Sequence, residues 1–319
     1  MRVALCNVDG RNYPNLALMK ISAYHKMRGD SVEWYAPLFK YDKVYASKVF
    51  TFTQDNQYLP PDTIKGGTGY DVRSVLPLEI EQCKPDYSIY PEFTAAYGFL
   101  TRGCCNKCPW CVVPLKEGGL RIVADIETVA QGRKDVVLMD NNFLAAPFDF
   151  VKEQIEKAAA LGLRLDFNQA TDARLYNERT ARIMARVKYL KYMRLSCDTD
   201  SQIEAVKNAV ELMRGYGYRG DVFCYVLAKN AELESAKFRI LTLTGFDKHI
   251  VPFVMPYRSL TDKAESPSEE LKRLARWCNK PWVRKSCRFD DYLKRTQANG
   301  AGFLFPNPSA GVKVLPRNG

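Results

Sequence analysis

β-rich runs alternate with helix-period segments along most of this chain, and that alternation restricts the fold more than any other feature of the sequence. Period-two apolar runs cannot settle as helices, nor period-3.6 runs as strands. Residues 2–8 read as a strand, 16–27 as a helix ended by Arg28-Gly29, and 31–36 and 43–50 as two further strands. A tight loop at Gly66-Gly67-Thr68-Gly69, a short helix near Glu79 and a fourth strand over 85–90 complete a small Rossmann-like α/β domain. From Tyr97 the beat becomes regular. Strands are predicted over 97–102, 135–139, 164–169, 192–197, 221–227 and 249–255, with helices over 125–131, 149–161, 177–187, 201–214 and 231–242. Six such steps predict an α/β fold with a parallel sheet and right-handed crossovers, curled into a partial or full TIM-like barrel with its chemistry at the C-terminal strand ends. The expected domains are 1–92, Rossmann-like; 93–260, the barrel; and 261–319, a basic extension. That extension holds an amphipathic helix over 268–279, a basic aromatic stretch to Tyr292 and a Gly/Pro-rich tail from Asn299.

A length of 319 residues suits roughly two domains. With 46% hydrophobic and 26% charged residues, the chain is globular rather than disordered or collagenous. No window approaches the ~20 apolar residues that span a bilayer, and residues 1–6 run into a strand pattern rather than a signal-peptide core. The expectation is a soluble, cytoplasmic protein with no membrane span. Ten cysteines are too sparse for a secreted disulfide scaffold, and four of them crowd into Cys104, Cys105, Cys108 and Cys111. Such clustering points to metal in a reducing compartment.

Cys104, Cys108 and Cys111 follow C-x3-C-x2-C spacing in a loop at the end of the first barrel strand. Three thiolates on a short loop can hold three irons of a 4Fe-4S cube. Full ligation takes four cysteines, so one iron keeps an open position. A zinc knuckle is the competing reading, but zinc wants a fourth ligand, and the two histidines, His25 and His249, are far away in sequence. Cys105 reads as packing or idle.

With Trp110 in the aromatic place of C-x3-C-x-aromatic-C, the chain resembles the radical S-adenosylmethionine (radical SAM) superfamily, whose members carry this loop after the first strand of a (β/α)6 partial barrel. The resemblance implies a 4Fe-4S cluster on Cys104, Cys108 and Cys111 and S-adenosylmethionine (SAM) chelated to the unique iron. Reductive cleavage would then release a 5'-deoxyadenosyl radical that takes hydrogen from a substrate. It also implies SAM contacts at the strand ends. Asp140-Asn141-Asn142 stands where relatives commonly carry Gly-Gly-Glu for the SAM amino group, although Asp-Asn-Asn is equally good turn and N-cap chemistry. Gln169 and Arg174 after strand three, and Arg194 and Asp198 on strand four, would meet the ribose and carboxylate. An internal salt bridge of Arg194 with Asp172 or Asp198 is the alternative. Strands five and six read as barrel wall, with Tyr257 and Arg258 towards a substrate opening.

The first 90 residues resemble the domain that precedes the barrel in cobalamin-dependent relatives. The D-x-H-x-x-G fingerprint is missing, since Gly10, Arg11 and Asn12 follow Asp9, which argues against cobalamin. Methylthiotransferase relatives need three N-terminal cysteines, and only Cys6 and Cys83 precede the barrel. Cys278 and Cys287 could start an auxiliary cluster or simply fill core. The net charge is +11, and residues 268–319 hold eleven Lys/Arg against four acids. That charge suits a polyanion, though a basic helix face is commonly just solvated. The reading implies an unidentified substrate, with RNA and peptide both fitting, and a reductant such as flavodoxin or ferredoxin. The alternative from another class is an iron-sulfur or zinc nucleic-acid-binding module gripping phosphates with Arg276, Lys280, Arg284, Lys285 and Arg288 and stacking a base on Trp282.

Overall fold

The computed structural model describes residues 1–259 and 266–298 and is mixed α/β with parallel sheets. Two compact units divide it, Met1–Asn168 and a second beginning at Gln169, so the expected boundary after residue 92 lies inside the first.

In the first unit β1 (Arg2–Asn7), α1 (Leu16–Met27), β2 (Ser31–Trp34), β3 (Lys43–Ser47) and β4 (Ile64–Gly66) form a parallel sheet in the order β2-β1-β3-β4. Val3, Ala4, Leu5 and Cys6 are all buried, as a parallel strand covered on both faces requires. Helix α1 starts where the Asn15 side chain accepts the Leu18 N–H, and it lays Leu18 and Ile21 on Val3, Leu5 and Tyr45. The fourth strand is not 85–90. It is β4, and residues Tyr87–Ile89 form a single 3-10 turn instead. Asp86 is the reason: its carboxylate accepts the Ser88 N–H at 2.9 Å, and it also takes the Ser22 hydroxyl at 2.6 Å and the Lys26 ammonium at 2.7 Å.

After α2 (Leu78–Glu81) come β5 (Ala96–Gly98), β6 (Thr101–Arg102), α3 (Val113–Lys116), β7 (Arg121–Ile122), α4 (Ile126–Ala130), β8 (Asp135–Leu138), α5 (Phe148–Ala160) and β9 (Arg164–Phe167). Strands β5, β8 and β9 pair in parallel, in register Ala96 with Val136 and Gly98 with Leu138. The expected strand 97–102 is therefore two pieces. Its second half, β6, leaves the parallel set to pair antiparallel with β7. Helix α5 buries Val151, Ile155 and Ala158 on one stripe, and Gln154 on that stripe accepts the Ile126 N–H at 2.8 Å.

The second unit holds α6 (Glu178–Met184), a two-residue β10 (Lys188–Tyr189), β11 (Met193–Ser196), α7 (Ile203–Gly215), β12 (Val222–Ala228), α8 (Leu233–Phe246) and β13 (Ile250–Pro256). Strands β11, β12 and β13 are parallel neighbours, extended by a bridge from Thr171 to Leu195. Val222, Cys224, Val226 and Ala228 alternate into the core, while Phe223 and Tyr225 on the other face meet the Phe253 ring. Three helices follow: α9 (Glu269–Cys278), α10 (Pro281–Ser286) and α11 (Phe289–Ala298). Leu271, Leu274, Trp277 and Cys278 of α9 are buried with Val226, Ala236, Ile240 and Val254, so the helical part of the basic segment belongs to this core. The tail expected from Asn299 lies outside the described residues. No described helix is long and apolar enough to cross a membrane.

Candidate functional site

The cysteine loop leaves β6 and returns through α3 and β7, and both of its roots are fixed. The Arg102 guanidinium makes a two-point contact with Glu117 (2.9 and 3.0 Å) and reaches Glu81 at 2.7 Å. Two residues on, the Cys104 N–H donates to the Gly118 carbonyl at 3.3 Å. Between them Gly103 sits at φ +82°, where a Cβ would lie 2.2 Å from the Gly119 carbonyl oxygen. Glycine is required there twice over, by the backbone angle and by the close approach.

Within the loop the Cys111 N–H closes a turn on the Cys108 carbonyl at 2.9 Å. Cys104 and Cys108 are half-buried and Cys105 and Cys111 exposed, whereas Cys6, Cys83, Cys197, Cys224 and Cys278 are buried. Trp110 is half-buried beside them in sequence. Among the described residues no three His, Cys, Asp or Glu side chains converge to hold one metal ion. A cube on three cysteines makes a different demand, because each sulfur takes its own iron. Two backbone N–H groups already point at loop sulfurs: Asn106 to Cys104 at 3.4 Å and Val113 to Cys111 at 3.5 Å.

The end of β8 faces this loop. Asp140 is buried, and its carboxylate accepts the Leu100 N–H (3.1 Å), the Thr101 N–H (2.5 Å) and the Thr101 hydroxyl (2.7 Å). Burial pushes its pKa up to about 6 against the pull of those donors. The Asn141 side-chain oxygen accepts the Gly103 N–H at 3.0 Å, and the Asn142 amide donates to Cys104 Sγ at 3.5 Å. All three residues expected at the SAM amino group are thus engaged with the cysteine strand.

The other expected contacts lie in the second unit. Gln169 is exposed and precedes Ala170, which is buried at φ +69°, an uncommon backbone for a residue with a Cβ. Arg174 forks onto Asp172 at 2.8 and 2.7 Å, so Asp172 has Arg174 as an ion-pair partner. The Arg194 guanidinium lies over the Phe223 ring at 5.1 Å and donates to the Tyr225 hydroxyl at 3.2 Å. Burial raises the pKa of Asp198, opposed by the Arg239 charge and a Leu227 backbone hydrogen bond.

Arg239 and the Arg102 ion pairs are absent from the expected set. Arg239 is 1% exposed, bonded to Asp200 (2.8 Å), Ser235 (2.7 Å) and the Leu227 carbonyl (2.6 Å). Its one visible signal is a charge within the apolar stripe Ala236, Ile240 and Leu243 of α8. For Arg102 the signal is an arginine just before the cysteines and Glu117 just after them. The remaining cysteine options fare differently. Cys278 donates to the Pro252 carbonyl, and burial pushes its thiol up to about 11, away from the thiolate a metal needs. Burial likewise raises Cys6 and Cys83. Asp9, in the loop after β1, is tied to the Val49 N–H at 2.5 Å and the Thr53 hydroxyl at 2.6 Å.

No family model matches the chain, and no curated protein matches it significantly.

Proposed function

We propose that this protein is a radical SAM enzyme whose six βα steps, from β5 to β13, are those of a (β/α)6 partial barrel. One observation carries the reading: three cysteines at C-x3-C-x2-C spacing occupy a loop with both roots anchored, immediately beyond β5 and β6. The residues fit a cluster. The three thiols are half-buried or exposed rather than sealed in core, and N–H donors already meet Cys104 and Cys111. Cys104, Cys108 and Cys111 would be the ligands, and Trp110 would shield one side. When bound, a reduced 4Fe-4S cluster supplies the electron that splits the sulfonium of SAM.

The chain's own work is holding and shielding. Arg102, Glu117 and Asp140 fix the loop roots. Cobalamin is left out of this reading, because the residues after Asp9 lack the ligating histidine. A flavodoxin- or ferredoxin-type reductant completes it. The exposed Arg276, Trp282, Lys285 and Arg288 favour a polyanionic substrate such as RNA.

The test is anaerobic reconstitution with iron and sulfide, then reduction in the presence of SAM. The expected product is 5'-deoxyadenosine, formed by the wild type and by Cys105→Ala. Replacing Cys104, Cys108 and Cys111 together by Ala abolishes both the brown chromophore and the product. A triple variant that keeps a full 4Fe-4S spectrum, or a wild type that never cleaves SAM, refutes the reading.

A further inference from the structure

Three consecutive residues at the end of β8 grip successive groups along the cysteine strand. Asp140 takes Leu100 and Thr101, Asn141 takes Gly103, and Asn142 reaches the Cys104 sulfur. The first two bonds are to backbone, so they hold the strand in place. The third is different in kind, because its acceptor is the atom expected to bind iron. Asn142 is 3% exposed, and its backbone is held between Asn141 and the helical turn Phe143–Ala145. Its amide is therefore aimed before any metal arrives.

An N–H donor on a ligating sulfur withdraws electron density from it. That stabilises the reduced, more negative state of a cluster over the oxidised one and raises the reduction potential. We propose that Asn142 is a positioning residue whose amide N–H, bonded to Cys104 Sγ, raises the potential of the cluster and makes it easier to reduce. This inference rests on the cluster proposed above. It gives the string Asp140-Asn141-Asn142 a role towards the sulfur ligands in place of the SAM amino group. Asn106 supplies a second N–H to the same sulfur from the backbone, which no side-chain substitution removes. Two N–H donors, one from a side chain and one from the backbone, therefore meet Cys104 Sγ.

The experiment compares the wild type, Asn142→Leu and Asn142→Ala after the same anaerobic iron-sulfide reconstitution, with Cys105→Ala as control. Leu fills the amide's space, excludes water and donates nothing. Ala lacks the donor and cannot crowd the loop should Leu do so. Iron and sulfide content and an EPR-monitored redox titration are read without substrate. The expected result is wild-type iron content in both variants with a lowered midpoint. At a fixed potential the reduced-to-oxidised ratio falls by up to about tenfold, which for one electron is about 59 mV. The Cys105→Ala midpoint stays with the wild type. Variants that load a full cluster at the wild-type midpoint overturn this inference and leave the enzyme reading standing. A wild type that takes up no cluster overturns both.

Discussion

Gly103 is the tightest point of the cysteine strand. At φ +82°, a Cβ would have to displace the Gly119 backbone, not the tip of a flexible side chain. Gly103→Ala should therefore cost on the order of 3 kcal/mol, combining left-handed strain with the clash. Urea unfolding measures it, and iron uptake should fall alongside. A variant as stable as the wild type would show that the β6–β7 hairpin gives way easily. The clustering of Cys104, Cys108 and Cys111 was legible in the sequence because their spacing is local. The work of Asp140, Asn141 and Asn142 was not, because it depends on register. Pairing Gly98 with Leu138 puts Leu100 opposite Asp140, forty residues away. No window of sequence contains both. Arg239 escaped notice for a related reason, since a buried arginine looks like a surface one until its carbonyl and carboxylate partners are known.

Helix α1 was legible to the residue, because an asparagine cap precedes Leu16 and Arg28-Gly29 follows Met27. The alternation of strands and helices from β5 to β13 was legible because each apolar run keeps one period from end to end. Residues 85–90 misled because Tyr87, Ile89 and Tyr90 have strand propensity, while the decisive group, the Asp86 carboxylate, bends the backbone into a turn. That carboxylate also makes a testable electrostatic contribution. Burial would raise its pKa, but hydrogen bonds from Lys26, Ser22 and Ser88 win and hold it down at about 2. A carboxyl whose folded pKa lies below its unfolded value stabilises the fold above the unfolded pKa, and that stability is lost as pH falls through the folded one. Lys26 is 40% exposed, so solvent screening leaves about 1 kcal/mol. Asp86→Asn should thus be less stable than the wild type by about that amount at pH 7, with the gap closing between about pH 4 and pH 2. A gap that stays constant over that window would remove the ionic explanation.

The charge of the chain, +11 in total, is concentrated towards its C-terminal end, where α9 to α11 bury an apolar face against β12, α8 and β13. From sequence alone the segment read as an appendage. Its amphipathic pattern was clear, but nothing local indicated which surface would accept Leu271 and Trp277. With that face occupied, Arg276, Lys285 and Arg288 are exposed, as is Trp282 at 67%. If phosphates are the partner, log affinity for a single-stranded RNA should fall with log salt by roughly 0.7 per phosphate neutralised. Lys285→Glu with Arg288→Glu should flatten that slope by about 1 or more and weaken binding at least tenfold. A salt-independent affinity, or a double variant that binds as the wild type does, excludes this surface. The anchoring of the cysteine loop has a consequence of another kind. Arg102, Glu117, Asp140 and Asn141 secure it through bonds between protein groups, unlike a zinc finger, whose fold is bought by its ion. Were the proposed cluster destroyed by oxygen, it could then be rebuilt on the same polypeptide, whose fold does not depend on it.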